Sequence, residues 1–323
     1  MRLHTALCDL LDIRAPILNG AMTPQAGGDL ARAVSEAGGL GMLGLAQSES
    51  TQSIRHQIRL MQMNGNKNLG VGLVHWMLER RPELFDLALE ARPKVVCVSF
   101  GDPAQYVPRI HERGILAAAQ VQSRASAQTA LDAGVDILIA QGTEAGGHTG
   151  AVGTLPLLQI VLDMSPRPVL AAGGIVSGRG LAAVLAAGAA GAWIGTPFLL
   201  AAESRSDPKA QDAIIASDET GTIRTSVYDR LQHTGWTPEF AGRALRNPFA
   251  QRWTAHEDQL LADPQAVAAF ERARADEDYR IAHLYAGQSV GMLYRVRPAR
   301  EIVAQLEADA IAQLRATSHL VRE

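Results

Sequence analysis

The sequence predicts an α/β protein, a (β/α)8 TIM barrel with a helical C-terminal extension. Three observations lead there. Short apolar runs alternate eight times with amphipathic helical stretches between residues 16 and 203. Those runs are apolar on both faces, as parallel strands covered on both sides must be, and none reads as an edge strand. Their spacing, roughly 20–30 residues, leaves room for one right-handed helical crossover each. Runs of this kind favour a closed barrel over an open doubly wound sheet.

In chain order, residues 16–22 make the first strand, and its helix, 25–37, is stopped by Gly38-Gly39. Residues 40–44 are the second strand, with a helix over about 50–63. The third strand is 69–74, and Pro82 leads a helix to Ala91. The fourth is 95–100, its helix starting near Pro103 and ending before Gly114. Residues 115–121 form the fifth strand, and Ser123 caps a helix to Ala133. The sixth, 137–141, runs into a glycine-rich loop and a helix over 155–164. The seventh is 168–174, followed by a helix from its cap Ser177 to Ala187, and the eighth is 192–196.

From Glu203 the rhythm stops. Residues 204–287 are richer in charge, contain Trp236, Trp253 and several prolines, and are expected to form a mostly helical extension or lid on the barrel of residues 1–203. Segment 298–316 places apolar residues at 302, 303, 306, 310, 311 and 314, one helical face, and should pack back as the barrel's final helix.

Composition narrows the function. Net charge is −3 and the arginines are scattered, so no nucleic-acid or anionic-membrane partner is expected. Cys8 and Cys97 lack metal-ligand spacing, which reads as a reducing compartment with no structural disulfide, and Cys97 sits in an apolar run as a core residue. The first apolar segment carries Asp9 and Asp12 and resembles no signal peptide, so a cytoplasmic location is expected. The uncharged run 181–202 is long enough to span a membrane, but it is rich in Ala and Gly and broken by Gly195 and Pro197; a core helix followed by a core strand fits it better. There is no dinucleotide fingerprint after a first strand, no Walker loop and no serine-hydrolase elbow, and no His, Asp or Glu pair has metal-ligand spacing.

The chemistry concentrates at the carboxyl ends of the late strands, where parallel α/β folds carry their sites. Gly173-Gly174 follows the seventh strand and Gly195-Thr196 the eighth; with the helix start at Ser177 they offer main-chain N–H groups to a phosphate. One strand earlier, Gly146-Gly147 present His148, whose imidazole could take a proton from a carbon acid or contact a ligand. Gln141, at the strand tip, can donate and accept toward a heterocyclic ring. His75 and Trp76, just after the third strand, are candidates for the pocket wall. Glu144 reads as a loop cap more readily than as an acid or base.

These residues resemble a known family. Residues 16–22 (PILNGAM), Gly70-Val-Gly72, the QGTEAGGH string of 141–148, AAGGI at 171–175, IGTPF at 194–198 and GQSVG at 287–291 are similar to the motifs of the nitronate monooxygenases. The resemblance implies a barrel holding FMN without a covalent link, and oxidation of alkyl nitronates, or nitroalkanes, by O2 to a carbonyl compound and nitrite. It further implies that His148 lies beside the flavin as base or hydrogen-bonding group and that Gln141 contacts the flavin. Gly146, Gly147, Gly173, Gly174, Gly195 and Thr196 stand at cofactor-binding positions, and the main chain of Asn19, Gly20, Ala21 and Met22 lies along the ring. FMN-dependent enoyl-ACP reductases using NAD(P)H share the same motifs, and a catalytically silent flavin-binding protein is a third reading. Many members of the family it resembles carry Asn where this chain has Gly72, so one polar contact in the pocket is missing and the substrate preference is expected to differ. Oligomeric state is open, a homodimer among the options.

Overall fold

Strand residues that are β-branched or small build the eight parallel strands that the patterning predicts. The computed structural model describes residues 1–65 and 68–320. The strands are β1 (Ile17–Asn19), β2 (Gly41–Gly44), β3 (Leu69–Val74), β4 (Val95–Ser99), β5 (Leu116–Val121), β6 (Ile137–Gln141), then, after the two-residue β7 (Gly147–His148) of a separate sheet, β8 (Val169–Ala172) and β9 (Gly191–Ile194). Their order, β1-β9-β8-β6-β5-β4-β3-β2, is that of a barrel. Closure between β1 and β2 rests on a single bridge, Leu18 to Leu40, and on one side chain. The buried Asn19 amide accepts from Met42 N–H at 2.8 Å and donates to Met42 C=O at 2.8 Å, replacing ladder bonds that the three-residue β1 is too short to make.

Alternate residues face inward, and the interior is filled by Leu18, Met42, Cys97, Ile139, Leu170 and Trp193 together with Leu7 and Leu11. The last two belong to a helix, Ala6–Leu11, that closes the amino-terminal end of the barrel: Thr5 Oγ1 donates to Ala190 C=O at 2.6 Å, just before β9. This helix was not among the predicted elements; at six residues it gives little periodicity to read. Outward residues such as Val71, Val96 and Leu138 pack under the helical ring.

The predicted caps are present at Ser123 and Ser177, and Ser50 caps helix Thr51–Gln62 in the same way, each accepting from a main-chain N–H three residues on. The helix expected from Pro103 is confined to Val107–His111, because the Asp102 carboxylate draws Ala104 N–H into a turn. A helix that the sequence did not suggest, His75–Arg80, starts directly at the end of β3 and puts His75 and Trp76 on the rim. The run 181–202 resolves into the end of helix Gly178–Ala186, β9 and the short helix Thr196–Leu199. Among the described residues no helix is long and apolar enough to cross a membrane.

Helix Ala299–Ala316 buries Ala299, Ile302, Val303, Leu306 and Ala310, the predicted face, against helices Gly178–Ala186 and Gly28–Glu36. It thereby fills the eighth helical position, which the chain after β9 leaves short. Gly178 permits this approach: a Cβ there would stand 2.3 Å from that of Asp309.

Residues 204–287 contribute helices, among them Val227–Gln232 and Pro264–Ala275 around a cluster of Tyr228, Leu231, Trp253 and Phe270, and Pro208–Ile215, whose Ala210 and Ile214 pack with Leu199, Leu200 and Leu245. They also contribute two strands that the helical reading did not contain, β10 (Thr222–Thr225) and β11 (Gly242–Leu245). These pair antiparallel with each other, and β11 pairs with β7, so the extension is sewn to the barrel through the loop that carries His148.

Candidate active site at the barrel rim

The segment after β1 lies across the barrel mouth because three strand ends facing it have no side chain. A Cβ on Gly72 would fall 2.2 Å from that of Ala21, one on Gly44 2.7 Å from Ala21 O, and one on Gly195 3.4 Å from Met22 Sδ. Gly20 N–H donates to Ile194 C=O at 2.7 Å and fixes the segment's start. Since the Asn19 amide is committed to the seam, this stretch presents its main chain and the Met22 side chain to the mouth.

Beside it lie the two glycine motifs. Gly173 and Gly174 have φ of 106° and 72°, conformations that suit only glycine without strain. Among the described residues, the N–H groups of Gly174 and Thr196 have no protein acceptor. The segment after Ala286 joins the two motifs: Gly287 N–H donates to Thr196 Oγ1 at 3.0 Å, and Ser289 Oγ donates to Gly174 C=O at 2.9 Å. Gln288 N–H binds Glu144 C=O at 2.9 Å, adding the β6 loop to the cluster. Gly146 serves close packing, since a Cβ would stand 2.6 Å from the Ala286 carbonyl carbon. The Glu144 carboxylate takes N–H and hydroxyl bonds of 2.8–3.0 Å from Thr154 and so caps helix Thr154–Met164. That use leaves it little part as a proton carrier.

His148 is 8% exposed. Its Nε2 lies 2.8 Å from Asp229 Oδ1, and its ring stacks on the Trp236 indole at 3.7 Å with the planes 9° apart. Tyr285 is tilted against it at 5.3 Å. Among the described residues Nδ1 has no protein partner, and it is not a sealed polar atom. From the barrel side, Gln122 Nε2 donates to Gln141 Oε1 at 2.9 Å, and Gln141 Nε2 to the His148 carbonyl at 3.1 Å. The amide chain therefore fixes the His148 backbone over the strand tips. Arg243, buried on β11, donates to Thr143 C=O at 2.8 Å and steadies the same loop from above.

The two wall candidates separate. Trp76 meets Trp236 edge to face at 5.8 Å, and its buried Nε1 has no partner among the described residues. His75 turns toward Tyr106, 5.8 Å away, and Glu79, 3.8 Å away. Both line a cleft of about 370 Å³ with Phe100, Trp236 and Phe240. Asp229, Trp236 and Tyr285, the groups that surround the imidazole, were not singled out from the sequence. They come from 81 or more residues away in the chain, and no local motif pairs them with His148.

Whether these residues suit a phosphate-bearing flavin can be judged on the cradle. Open main-chain N–H groups stand beside Gly174 and Gly195, where an added Cβ would meet Glu144 at 3.5 Å and Ser289 Oγ at 3.9 Å, or Met22 at 3.4 Å, and would itself fill the approach. A glycine-lined surface with free donors suits a phosphate, and the apolar Ala21–Met22 segment beside it suits an aromatic ring.

Comparison with known proteins identifies the family. The nitronate monooxygenase family model matches residues 81–309. Mycobacterium tuberculosis Rv1533, a candidate monooxygenase, is 37% identical over 71% of this chain, a match spanning 62% of that protein's own length. A probable nitronate monooxygenase of Staphylococcus aureus is 28% identical over 93% of this chain and 95% of its own. Among solved structures, FabK from Thermotoga maritima superposes with a TM-score of 0.86 at 29% identity, covering 99% of this chain and 100% of that one. The nitroalkane oxidase of Streptomyces ansochromogenes does so at 0.80 and 28%, covering 97% and 100%. With the family model matching well over half its length, the chain belongs to the nitronate monooxygenase family of flavin-dependent oxidoreductases.

Proposed function

We propose that this enzyme binds FMN without a covalent bond and oxidises alkyl nitronates, and nitroalkanes after loss of their α-proton, to a carbonyl compound and nitrite at the expense of O2. The observation that carries the reading is the placement of His148, with Nδ1 open, on the loop whose other end packs against the glycine cradles. In this reading the N–H groups at Gly173-Gly174 and Gly195-Thr196 hold the phosphate, and the main chain of residues 19–22 lies along the ring. Gln141 orients the rim and contacts the flavin. FMN, when bound, supplies the redox chemistry. The protein's part is orientation, exclusion of water by Trp236 and Trp76, and a proton acceptor at His148 for substrates that arrive neutral.

A second reading, NAD(P)H-dependent reduction of an enoyl thioester on the same flavin, draws on the superposition with FabK. The two separate in one assay. Flavin-loaded enzyme given 2-propyl nitronate in air should consume O2 and release nitrite, while anaerobic NADH or NADPH leaves the flavin absorbance unchanged over the same seconds. Rapid bleaching by the nicotinamide with no nitrite from nitronate would transfer the assignment to the reductase.

A further inference from the structure

We infer that Asp229, on the extension, is the positioning residue that selects which nitrogen of His148 is the base. The inference rests on the proposed function above. A carboxylate can only accept, so at 2.8 Å from Asp229 Oδ1 the Nε2 of His148 must carry its hydrogen. The neutral ring then has its lone pair on Nδ1, the nitrogen without a protein partner. Both residues of the pair are under 10% exposed, so water competes poorly for the bond.

Asp229 is itself held. It belongs to helix Val227–Gln232, Thr234 Oγ1 donates to the same Oδ1 at 3.3 Å, and the Tyr228 side chain beside it is anchored through its hydroxyl to Asn247 at 3.2 Å. Ring rotation is blocked as well. Trp236 covers one face at 3.7 Å, Tyr285 leans on the ring at 5.3 Å, and a Cβ at Gly242 would come within 3.4 Å of Nε2. The extension thus does more than cover the mouth: it sets the tautomer and aim of a base that the barrel loop supplies. When the substrate is a neutral nitroalkane, the α C–H bond breaks, its electron pair stays on the substrate as the nitronate, and the proton goes to Nδ1. The resulting imidazolium is stabilised by the Asp229 carboxylate. A substrate supplied as nitronate needs no such step.

The experiment compares wild type with Asp229→Asn and Asp229→Glu, all loaded with FMN. Asp229→Asn should lower kcat/KM for a nitroalkane by about 100-fold or more, the scale of a general base in the wrong tautomer, and leave that for the preformed nitronate within about threefold. Asp229→Glu should recover part of the nitroalkane rate. Equal losses on the two substrates, or none on either, would overturn the inference. A spectroscopic readout stands apart from turnover. In protein labelled with 15N-histidine, the His148 signals, assigned by their loss in His148→Asn, should show a bare Nδ1 and a protonated Nε2 in wild type, a pattern altered in Asp229→Asn. A protonated Nδ1 beside a bare Nε2 in wild type contradicts the inference even if nitronates are oxidised. A wild type that oxidises neither substrate contradicts the proposed reaction, and the nitrogen signals then decide the tautomer by themselves.

Discussion

Gly72 and Ala21 meet so closely across the barrel mouth that a Cβ added to Gly72 would stand 2.2 Å from the Cβ of Ala21. With Ala21 lying against the end of β3, only glycine fits at 72, where the resemblance leads to an expectation of Asn. Gly72→Asn should cost roughly 1–3 kcal/mol, as overpacking of a filled site does, and weaken FMN binding by displacing residues 20–22. Thermal unfolding and flavin titration measure both. Adding Ala21→Gly should recover much of the loss, and a double variant no better than the single would show that the pair is not the cause.

Asn19 is the stitch between β1 and β2, and its loss should be felt in stability before it is felt in catalysis. Asn19→Ala leaves Met42 N–H and C=O without these partners in a buried place, an expected loss of about 3 kcal/mol at one to two kcal/mol per group. Urea unfolding monitored by tryptophan fluorescence checks it. A midpoint indistinguishable from wild type would mean that the barrel closes without this amide.

The barrel was legible because each strand announces itself within a few residues. Gly41–Gly44, Leu69–Val74 and Ile137–Gln141 are apolar runs bounded by turns, and parallel pairing with helical crossovers leaves few arrangements for them. The juxtaposition of Gly173-Gly174 and Gly195-Thr196 was legible for the same reason, since both sit at strand ends that such a barrel must bring together. The rest of the site was not, because it depends on pairings between distant stretches. Strand β7 is two residues long and exists only through β11, some 95 residues on, so Gly147-His148 reads as plain loop. Asp229 lies on a six-residue helix with no motif around it, and Trp236 in a loop, and nothing local aims either at His148.

Acid should destabilise the extension through His283. Its ring is packed among Tyr228, Phe270 and Tyr285 with Nδ1 buried and unpartnered, and burial, helped by Arg274 and His148, pulls its pKa down to about 4. The unfolded chain takes up this proton near pH 6.5 and the folded one only near 4, so protons favour unfolding across that interval. Stability present above about 6.5 should fall by about 3 kcal/mol in all by pH 4, with no further loss from this group below. His283→Leu should flatten that slope in denaturant melts taken across the interval. An unchanged slope would show that other groups carry the acid sensitivity.

Neither cysteine should react in the native protein. Cys8 and Cys97 are both buried in the barrel interior, and burial pushes the Cys97 thiol up to about 11, so its thiolate is scarce at neutral pH. A chromogenic disulfide reagent at pH 8 should titrate no thiol before denaturation and two after it. Fast labelling of one thiol in the folded protein would contradict this packing.

The account depends on the two main-chain cradles serving one phosphate-bearing flavin beside His148, and the most direct measurement is the affinity for FMN set against that for riboflavin, which lacks only the phosphate. Quenching of flavin fluorescence should show FMN bound at least about 100-fold more tightly, the worth of two or more charge-assisted hydrogen bonds, and Gly195→Val should erase the difference. Equal affinity for the two flavins, or an FMN affinity untouched by Gly195→Val, would contradict it.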